Sequence, residues 1–257
     1  MQLRDQVVVL TGAARGIGRA MARRFALEQP RALILADIRI AEAIEAAAET
    51  GGEPYEINIA DEAEVRDLVA HVTARHGHID LFCSNAGVLV QGGLEVPEYG
   101  WDYCLDHNFR AHLYAAQAVI PAMLNRGRGY LLQTVSAAGL LTSIGAAPYA
   151  VSKHAALALA EWIAVTHGAH GIGVSCLCPA FVHTAMVDDI EGPLGGWMKE
   201  TAISPEEVAE AAVQGLAEER FLILTHPDIA THFQRKAGDY DRWIRGMQRL
   251  RTRVSGA

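Results

Sequence analysis

The sequence predicts an α/β fold, a single domain built on a doubly wound parallel sheet of about seven strands with helices on both faces. Three observations predict it. Short apolar runs alternate with amphipathic segments of about 10–20 residues along the whole chain. The strand-like runs are apolar throughout rather than alternating, as strands covered on both faces are. A glycine-rich turn, Thr11-Gly12-Ala13-Ala14-Arg15-Gly16-Ile17-Gly18, joins the first apolar run to the first amphipathic one. The chain has 257 residues, within reach of one open sheet, and no repeat or low-complexity linker divides it.

In chain order, residues 7–10 (VVVL) read as a buried strand and 17–27 as the helix after it. Strand 32–36 and helix 41–50 follow, then strand 55–57, helix 62–76 and strand 79–83. A long helix is expected over residues 98–125, then strand 130–135, helix 148–166, strand 173–177, helix 205–217 and strand 221–224. A lid is expected at about 185–203, with Gly192, Gly195 and Gly196 as hinges, and a basic helical tail at about 226–253.

Composition narrows the function classes. The formal net charge is −8 and no Lys/Arg stripe is present, which argues against a nucleic-acid partner. Cys83, Cys104, Cys176 and Cys178 form no Cys-x-x-Cys pair and read as free thiols of a reducing compartment. The eleven histidines show no metal-ligand spacing, so no metal is expected in the chemistry. Residues 1–5 run straight into a strand without a leader pattern, and no apolar stretch of about 18 residues occurs, so a cytoplasmic protein off the membrane is expected.

The glycine turn has a mechanical logic. Gly12 allows the tight strand-to-helix turn, while Gly16 and Gly18 let backbone approach a pyrophosphate and let the helix pack on the sheet. The free N–H groups of the helix N-terminus then face the phosphates. Asp37 closes the second strand, 19 residues after Gly18. A carboxylate there accepts from adenosine ribose hydroxyls and repels a 2′-phosphate, which favours NAD over NADP. Arg15 and Arg39 pull the other way, since either would reach a 2′-phosphate, and a helix N-cap is the plain structural role for Asp37.

Tyr149-Ala150-Val151-Ser152-Lys153 is the sharpest chemical signal. On a helix, positions four apart share a face, so the Lys153 ammonium lies near the Tyr149 phenol. A phenol that works near neutral pH must drop about 3 pH units, roughly 4 kcal/mol of preference for the phenolate, and a neighbouring cation is the direct source. The chain has seven tyrosines and only three lysines, so chance yields this spacing about 0.08 times. Arginine serves nearly everywhere else, which suggests that Lys153 does something Arg's fork cannot. Ser136 follows strand 130–135, at the edge where open α/β sheets place ligands.

These residues resemble the short-chain dehydrogenase/reductase family, over about residues 5 to 225 and with the motifs in the family's order. Thr11-Gly12-x-x-x-Gly16-x-Gly18 is similar to its coenzyme motif, Asn85-Ala86-Gly87 to its Asn-Ala-Gly turn, and Pro179 to Thr184 to its segment beside the nicotinamide. Asn108, Ser136, Tyr149 and Lys153 match its catalytic set. The resemblance implies a Rossmann-type fold and hydride transfer between a nicotinamide dinucleotide and an alcohol or ketone. It implies Tyr149 as general acid/base, Lys153 as its electrostatic partner on the nicotinamide ribose, Ser136 as orienter of the carbonyl, and Asn108 as holder of a kinked helix and a proton relay. It implies cofactor contacts from Gly12, Ala14, Arg15, Gly16, Ile17, Gly18, Asp37, Ile38, Asn58, Ile59, Asn85, Ala86, Gly87, Tyr149, Lys153, Pro179, Ala180, Val182 and Thr184. It also implies a homodimer or homotetramer, through the helices carrying Asn108 and Tyr149. Three departures stand out: Asn58 where an Asp is frequent, Ala180 for a Gly, and no Asp-Gly-Gly after the last strand.

Substrate choice falls to the loops above the nicotinamide. Val88, Ala138, Ile144, His183, Met186 and Trp197 are the candidate contacts, with His183 the one ionisable residue among them. Apart from Lys199, no Arg or Lys of these loops is aimed at an anion, so a lipophilic cyclic or aromatic secondary alcohol or ketone is expected, with no charge to bind. An NADPH-dependent ketone reductase is the alternative of the same fold, and a non-catalytic dinucleotide-binding regulator the alternative of another class.

Overall fold

Residues 1–255 are described by a computed structural model. The chain alternates from the start: Val7–Thr11 (β1), Gly16–Ala26 (α1), Ala32–Asp37 (β2), Ile40–Thr50 (α2), Glu53–Glu56 (β3), Glu62–His76 (α3) and Leu81–Ser84 (β4). Glu98–Leu105 (α4) runs through a π turn, Asp106–Arg110, into Ala111–Arg126 (α5). Gly129–Thr134 (β5), Ala137–Leu140 (α6), Ala147–His167 (α7), Ile172–Cys178 (β6), Ala185–Asp188 (α8), Gly192–Glu200 (α9), Pro205–Ala217 (α10), Leu222–Leu224 (β7), Pro227–Gly238 (α11) and Tyr240–Ser255 (α12) complete it.

The strands form one parallel sheet in the order β3-β2-β1-β4-β5-β6-β7. Apolar runs suit it because both faces are covered. Val7 and Val9 point to the side of α3, α5 and α7, with Leu68, Val119 and Ala160. Val8 and Leu10 point to the side of α1 and α10, with Phe25 and Val208. Full burial of a side chain such as Phe25 contributes about 1.5–3 kcal/mol. The chain winds from β1 out to β3, then returns to lay β4 on the other side of β1. That reversal opens a crevice at the C-terminal ends of β1 and β4, where such sheets bind ligands.

Three elements differ from the sequence expectation. Strand β3 sits at Glu53–Glu56 rather than 55–57, and as the sheet edge it accommodates Pro54, whose missing N–H costs least there. The long helix expected at 98–125 is interrupted by the π turn, which carries Asn108. The expected lid is helical rather than a hinged loop. Its helices α8 and α9 build a small core of Val187, Ile190 and Met198 with Phe181 and Trp197 packed against it. Gly195 serves that packing, since a Cβ there would lie 2.0 Å from the Ile190 carbonyl oxygen.

Candidate active site

The turn after β1 is fixed by its neighbours. Gly12 has φ +66°, and a Cβ on it would come 2.7 Å from the Ala86 backbone. A Cβ on Gly18 would meet the Gly12 carbonyl oxygen at 1.8 Å. Gly16 has φ +54° and faces the Thr184 methyl, so the segment after β6 closes over the turn. No side chain caps the N-terminus of α1, which leaves its first N–H groups, around Gly16, Ile17 and Gly18, available to an anion. Arg15, the residue before α1, is exposed.

Asn85 ties the strand ends together. Its Nδ2 donates to the carbonyls of Thr11 (3.1 Å) and Gly12 (3.3 Å), and its Oδ1 accepts from the Thr134 hydroxyl at 3.1 Å. The Thr11 hydroxyl in turn accepts from the backbone N–H groups of Asn85 and Ala86. Asp37 is buried; its Oδ2 accepts from Ala14 N at 3.0 Å and its Oδ1 from Arg39 N at 2.9 Å. It is not the cap of α2, whose N-cap is Arg39. Each Asp37 oxygen keeps acceptor capacity beyond these bonds. Ile38 next to it is 63% exposed, and Asn58 uses its Oδ1 on Ala60 N in the loop after β3 that also carries Ile59. An uncapped helix end, a carboxylate with spare acceptors and an exposed apolar face beside it fit an adenine dinucleotide.

The four matched catalytic positions converge on the adjoining crevice. Lys153, 3% exposed, donates from Nζ to the Thr134 carbonyl at 2.9 Å, and burial pushes its ammonium down to about 8. Asn108 is fully buried in the π turn. Its Nδ2 donates to the Val88 carbonyl (2.9 Å) and the Ser152 hydroxyl (3.0 Å), and its Oδ1 accepts from Val88 N (2.9 Å). Gly87 lies between them: a Cβ there would come 2.9 Å from Asn108 Oδ1 and 3.4 Å from Lys153 Nζ. Ser136 Oγ accepts from Ala138 N at 3.0 Å and donates to the Pro179 carbonyl at 3.3 Å.

Burial pushes the Tyr149 phenol up from its ordinary value, and a hydrogen bond with the Ser136 side chain acts against that. The Lys153 ammonium lies 5.8 Å from the Tyr149 ring centroid and does not reverse the direction. The direction is thus upward, against the lowering expected of the Tyr-x-x-x-Lys pair, because burial penalises the phenolate.

Ser136 and Tyr149 open on a cavity of about 1170 Å³. Ala138, Ile144, Met186 and Trp197 line it, as do Ala180 and Phe181. Of the remaining substrate candidates, Val88 is not among its lining residues and is engaged through its backbone by Asn108. His183 is exposed and lies 3.3 Å from Asp188, off the cavity. Val182 is buried, with its neighbour His183 bonded by backbone to Ile203.

The short chain dehydrogenase family profile matches residues 6–193 of this chain. The chain is 35% identical over 240 residues to 1-deoxy-11-beta-hydroxypentalenate dehydrogenase of Streptomyces avermitilis, covering 90% of this chain and 88% of the relative. This chain belongs to the short-chain dehydrogenase family. A 3-oxoacyl-[acyl-carrier-protein] reductase of Thermotoga maritima is 28% identical, over 82% of this chain and 89% of its own. A family member from Burkholderia phymatum, solved with NAD, superposes with a TM-score of 0.84 at 27% identity, over 94% of this chain and 96% of that one. The chain is thus an NAD(P)-dependent alcohol dehydrogenase or ketoreductase with a small-molecule substrate. Among its described residues, no helix is long and apolar enough to cross a membrane.

In this short-chain dehydrogenase, the sequence reading missed one wall of the cavity. Helices α11 and α12 contribute His232, Arg235, Arg242, Trp243, Met247 and Arg249 to it, while Lys199 is not part of the lining. His226, at the start of α11, is the ionisable group actually beside the crevice. Its Nδ1 accepts from Ala180 N at 3.3 Å, and burial pushes its imidazole down. The signal that would have found this wall is Lys236, one of the three lysines. It is 7% exposed, donates to the carbonyls of Leu140 (2.7 Å) and Leu141 (3.0 Å), and lies under the rings of Tyr240 and Trp243. It fastens the tail to the segment just after Ser136.

Proposed function

We propose that this dehydrogenase interconverts lipophilic, cyclic or aromatic secondary alcohols and their ketones, using NAD in preference to NADP and Tyr149 as general acid/base. The observation that carries this reading is that Ser136 and Tyr149 share the wall of a large, mostly apolar cavity at the C-terminal edge of the sheet. The relative named as a hydroxypentalenate dehydrogenase supports it. Bound dinucleotide supplies or accepts the hydride. Tyr149 passes the proton at the substrate oxygen, and Ser136 orients that oxygen by a hydrogen bond. Lys153 presents its ammonium to the tyrosine side of the crevice, and Asn108 keeps the backbone beside it in register. The NAD preference rests on Asp37, whose charge opposes a 2′-phosphate, while the competing Arg39 is tied to Glu42 at 3.0 Å.

The test compares NAD and NADP turnover over a panel of cyclic secondary alcohols, with Tyr149→Phe beside the parent. NAD turnover should exceed NADP turnover, and the variant should lose about 10²–10⁴-fold. With the phenol pushed up by burial, alcohol oxidation should climb toward alkaline pH, since it needs the phenolate. NADP-only turnover would overturn the Asp37 argument, and a fully active Tyr149→Phe would overturn the mechanism. We also propose self-association through α4, α5 and α7, supported by exposed Tyr99, Trp162 and Val165 on that side. A monomer by light scattering would count against it.

A further inference from the structure

The cavity carries charge along one wall. Ligand pockets usually span about 300–1,000 Å³, and this one reaches about 1170 Å³ because the tail extends it. Arg235, Arg242 and Arg249 all line it from α11 and α12. In this chain arginines are usually neutralised: Arg19 and Arg23 hold Glu49, Arg24 holds Glu28 and Glu210, and Arg39 holds Glu42. The side chains of Arg235, Arg242 and Arg249 have no ion-pair or hydrogen-bond partner among the described residues. Leaving three cations together on one cavity wall is unexpected in a protein of net charge −8 unless something anionic visits them.

The acids on the same wall are accounted for. Asp228 lies 3.4 Å from His232, and Asp239 accepts from Arg242 N at the start of α12. Three arginines against these two carboxylates leave the wall net positive. Arginine's planar fork matches a carboxylate in two parallel hydrogen bonds. The wall is also held in place rather than draped. Lys236 pins α11 to the carbonyls of Leu140 and Leu141, and α12 packs on the lid helix α9.

Building on the alcohol dehydrogenase function proposed above, we propose that the substrate is a lipophilic secondary alcohol or ketone that also carries a carboxylate, gripped by Arg235, Arg242 and Arg249 while its oxygen sits at Ser136 and Tyr149. This replaces the expectation of an uncharged substrate, which considered only the loops near the nicotinamide and could not see that the tail folds back beside them.

The experiment uses matched pairs: hydroxycyclohexanecarboxylate and lithocholate, each against its own methyl ester. Turnover with NAD is measured, and binding to the NAD-loaded enzyme is followed by calorimetry. The three arginines are exposed, so the triple variant Arg235→Gln/Arg242→Gln/Arg249→Gln should fold as the parent does. In the parent enzyme at least one acid should bind about tenfold or more tighter than its ester, the scale of a hydrogen-bonded charge pair. The difference should appear in KM rather than kcat, and the triple variant should abolish it, bringing the KM of each acid to that of its ester. Acid and ester bound alike by the parent, or an acid preference that survives in the triple variant, overturns the proposal while leaving the dehydrogenase reading intact. Arginine-dependent acid binding without any turnover sustains the anion site and overturns the cyclic-alcohol reading proposed above instead.

Discussion

The turn between β1 and α1, proposed to hold the dinucleotide, and the wall formed by α9, α11 and α12, proposed to hold the substrate, are built in opposite ways. In the turn, Gly18 would drive a Cβ to 1.8 Å from the Gly12 carbonyl oxygen, and Gly12 would drive one to 2.7 Å from Ala86. In the wall, Gly195 is held against the Ile190 carbonyl oxygen, but Gly192, Gly196 and Gly238 would meet nothing within 4 Å. Backbone-to-backbone contact admits one residue type, so the turn is written as a fixed motif. Side chains that line a cavity need only be compatible with one another, so the wall is written as composition. The first region is suited to a constant ligand, and the second to one that differs between relatives.

The sharpest way to break this comparison is to add one methyl group to each region. Gly18→Ala should lose roughly 3 kcal/mol or more of stability, because the Gly12 backbone must move. Dinucleotide affinity should go with it, read by calorimetry. Gly196→Ala, exposed inside α9, should gain about 0.5–1 kcal/mol in a thermal melt. Equal responses would mean that the turn is not specially constrained.

Between these extremes lies the buried middle of the molecule. His112 on α5 is fully buried, and its imidazole is pushed down to about 3 by desolvation, with the Lys153 charge adding to it and the Gln133 side chain acting against it. The fold thus holds it neutral while the unfolded chain protonates near the ordinary value. Its contribution to stability is fully present above about pH 6.5 and is lost as the pH falls toward 3, on the order of 4 kcal/mol. His112→Leu should flatten the acid side of the stability profile, and an unchanged profile would remove His112 as the cause. A smaller effect, about 2–3 kcal/mol and confined to the tail, is expected for Lys236→Met, which frees the carbonyls of Leu140 and Leu141. Proteolysis of the tail should accelerate while dinucleotide affinity stays the same, and equal loss of both would show that the two regions are coupled.

Much of the fold was legible because its rules are local. Apolar runs such as residues 7–10 marked strands buried on both faces, and Tyr149 and Lys153 met as one helical turn requires. Asp37 was placed beside the glycine turn by the geometry of one βαβ unit, and Ala14 N does donate to it. The π turn at Asn108 was legible only through the resemblance, which implied a kinked helix there, because an extra residue in a helix leaves no periodic mark in a short segment. The direction of the Tyr149 shift was not legible, since desolvation depends on what covers the ring, which no spacing encodes.

Taken by itself, the sequence determined the parallel sheet and the shared helical face of Tyr149 and Lys153, both of which follow from local periodicity, while the resemblance implied that Asn108 and Ser136 join them. Only the tertiary structure decided that residues 226–250 return to line the same cavity as Ser136, with Arg235, Arg242 and Arg249 unpaired on its wall. The physical reason is that Lys236 reaches back some 95 positions to two carbonyls, and a contact between groups that far apart in the chain depends on the packing of everything between them.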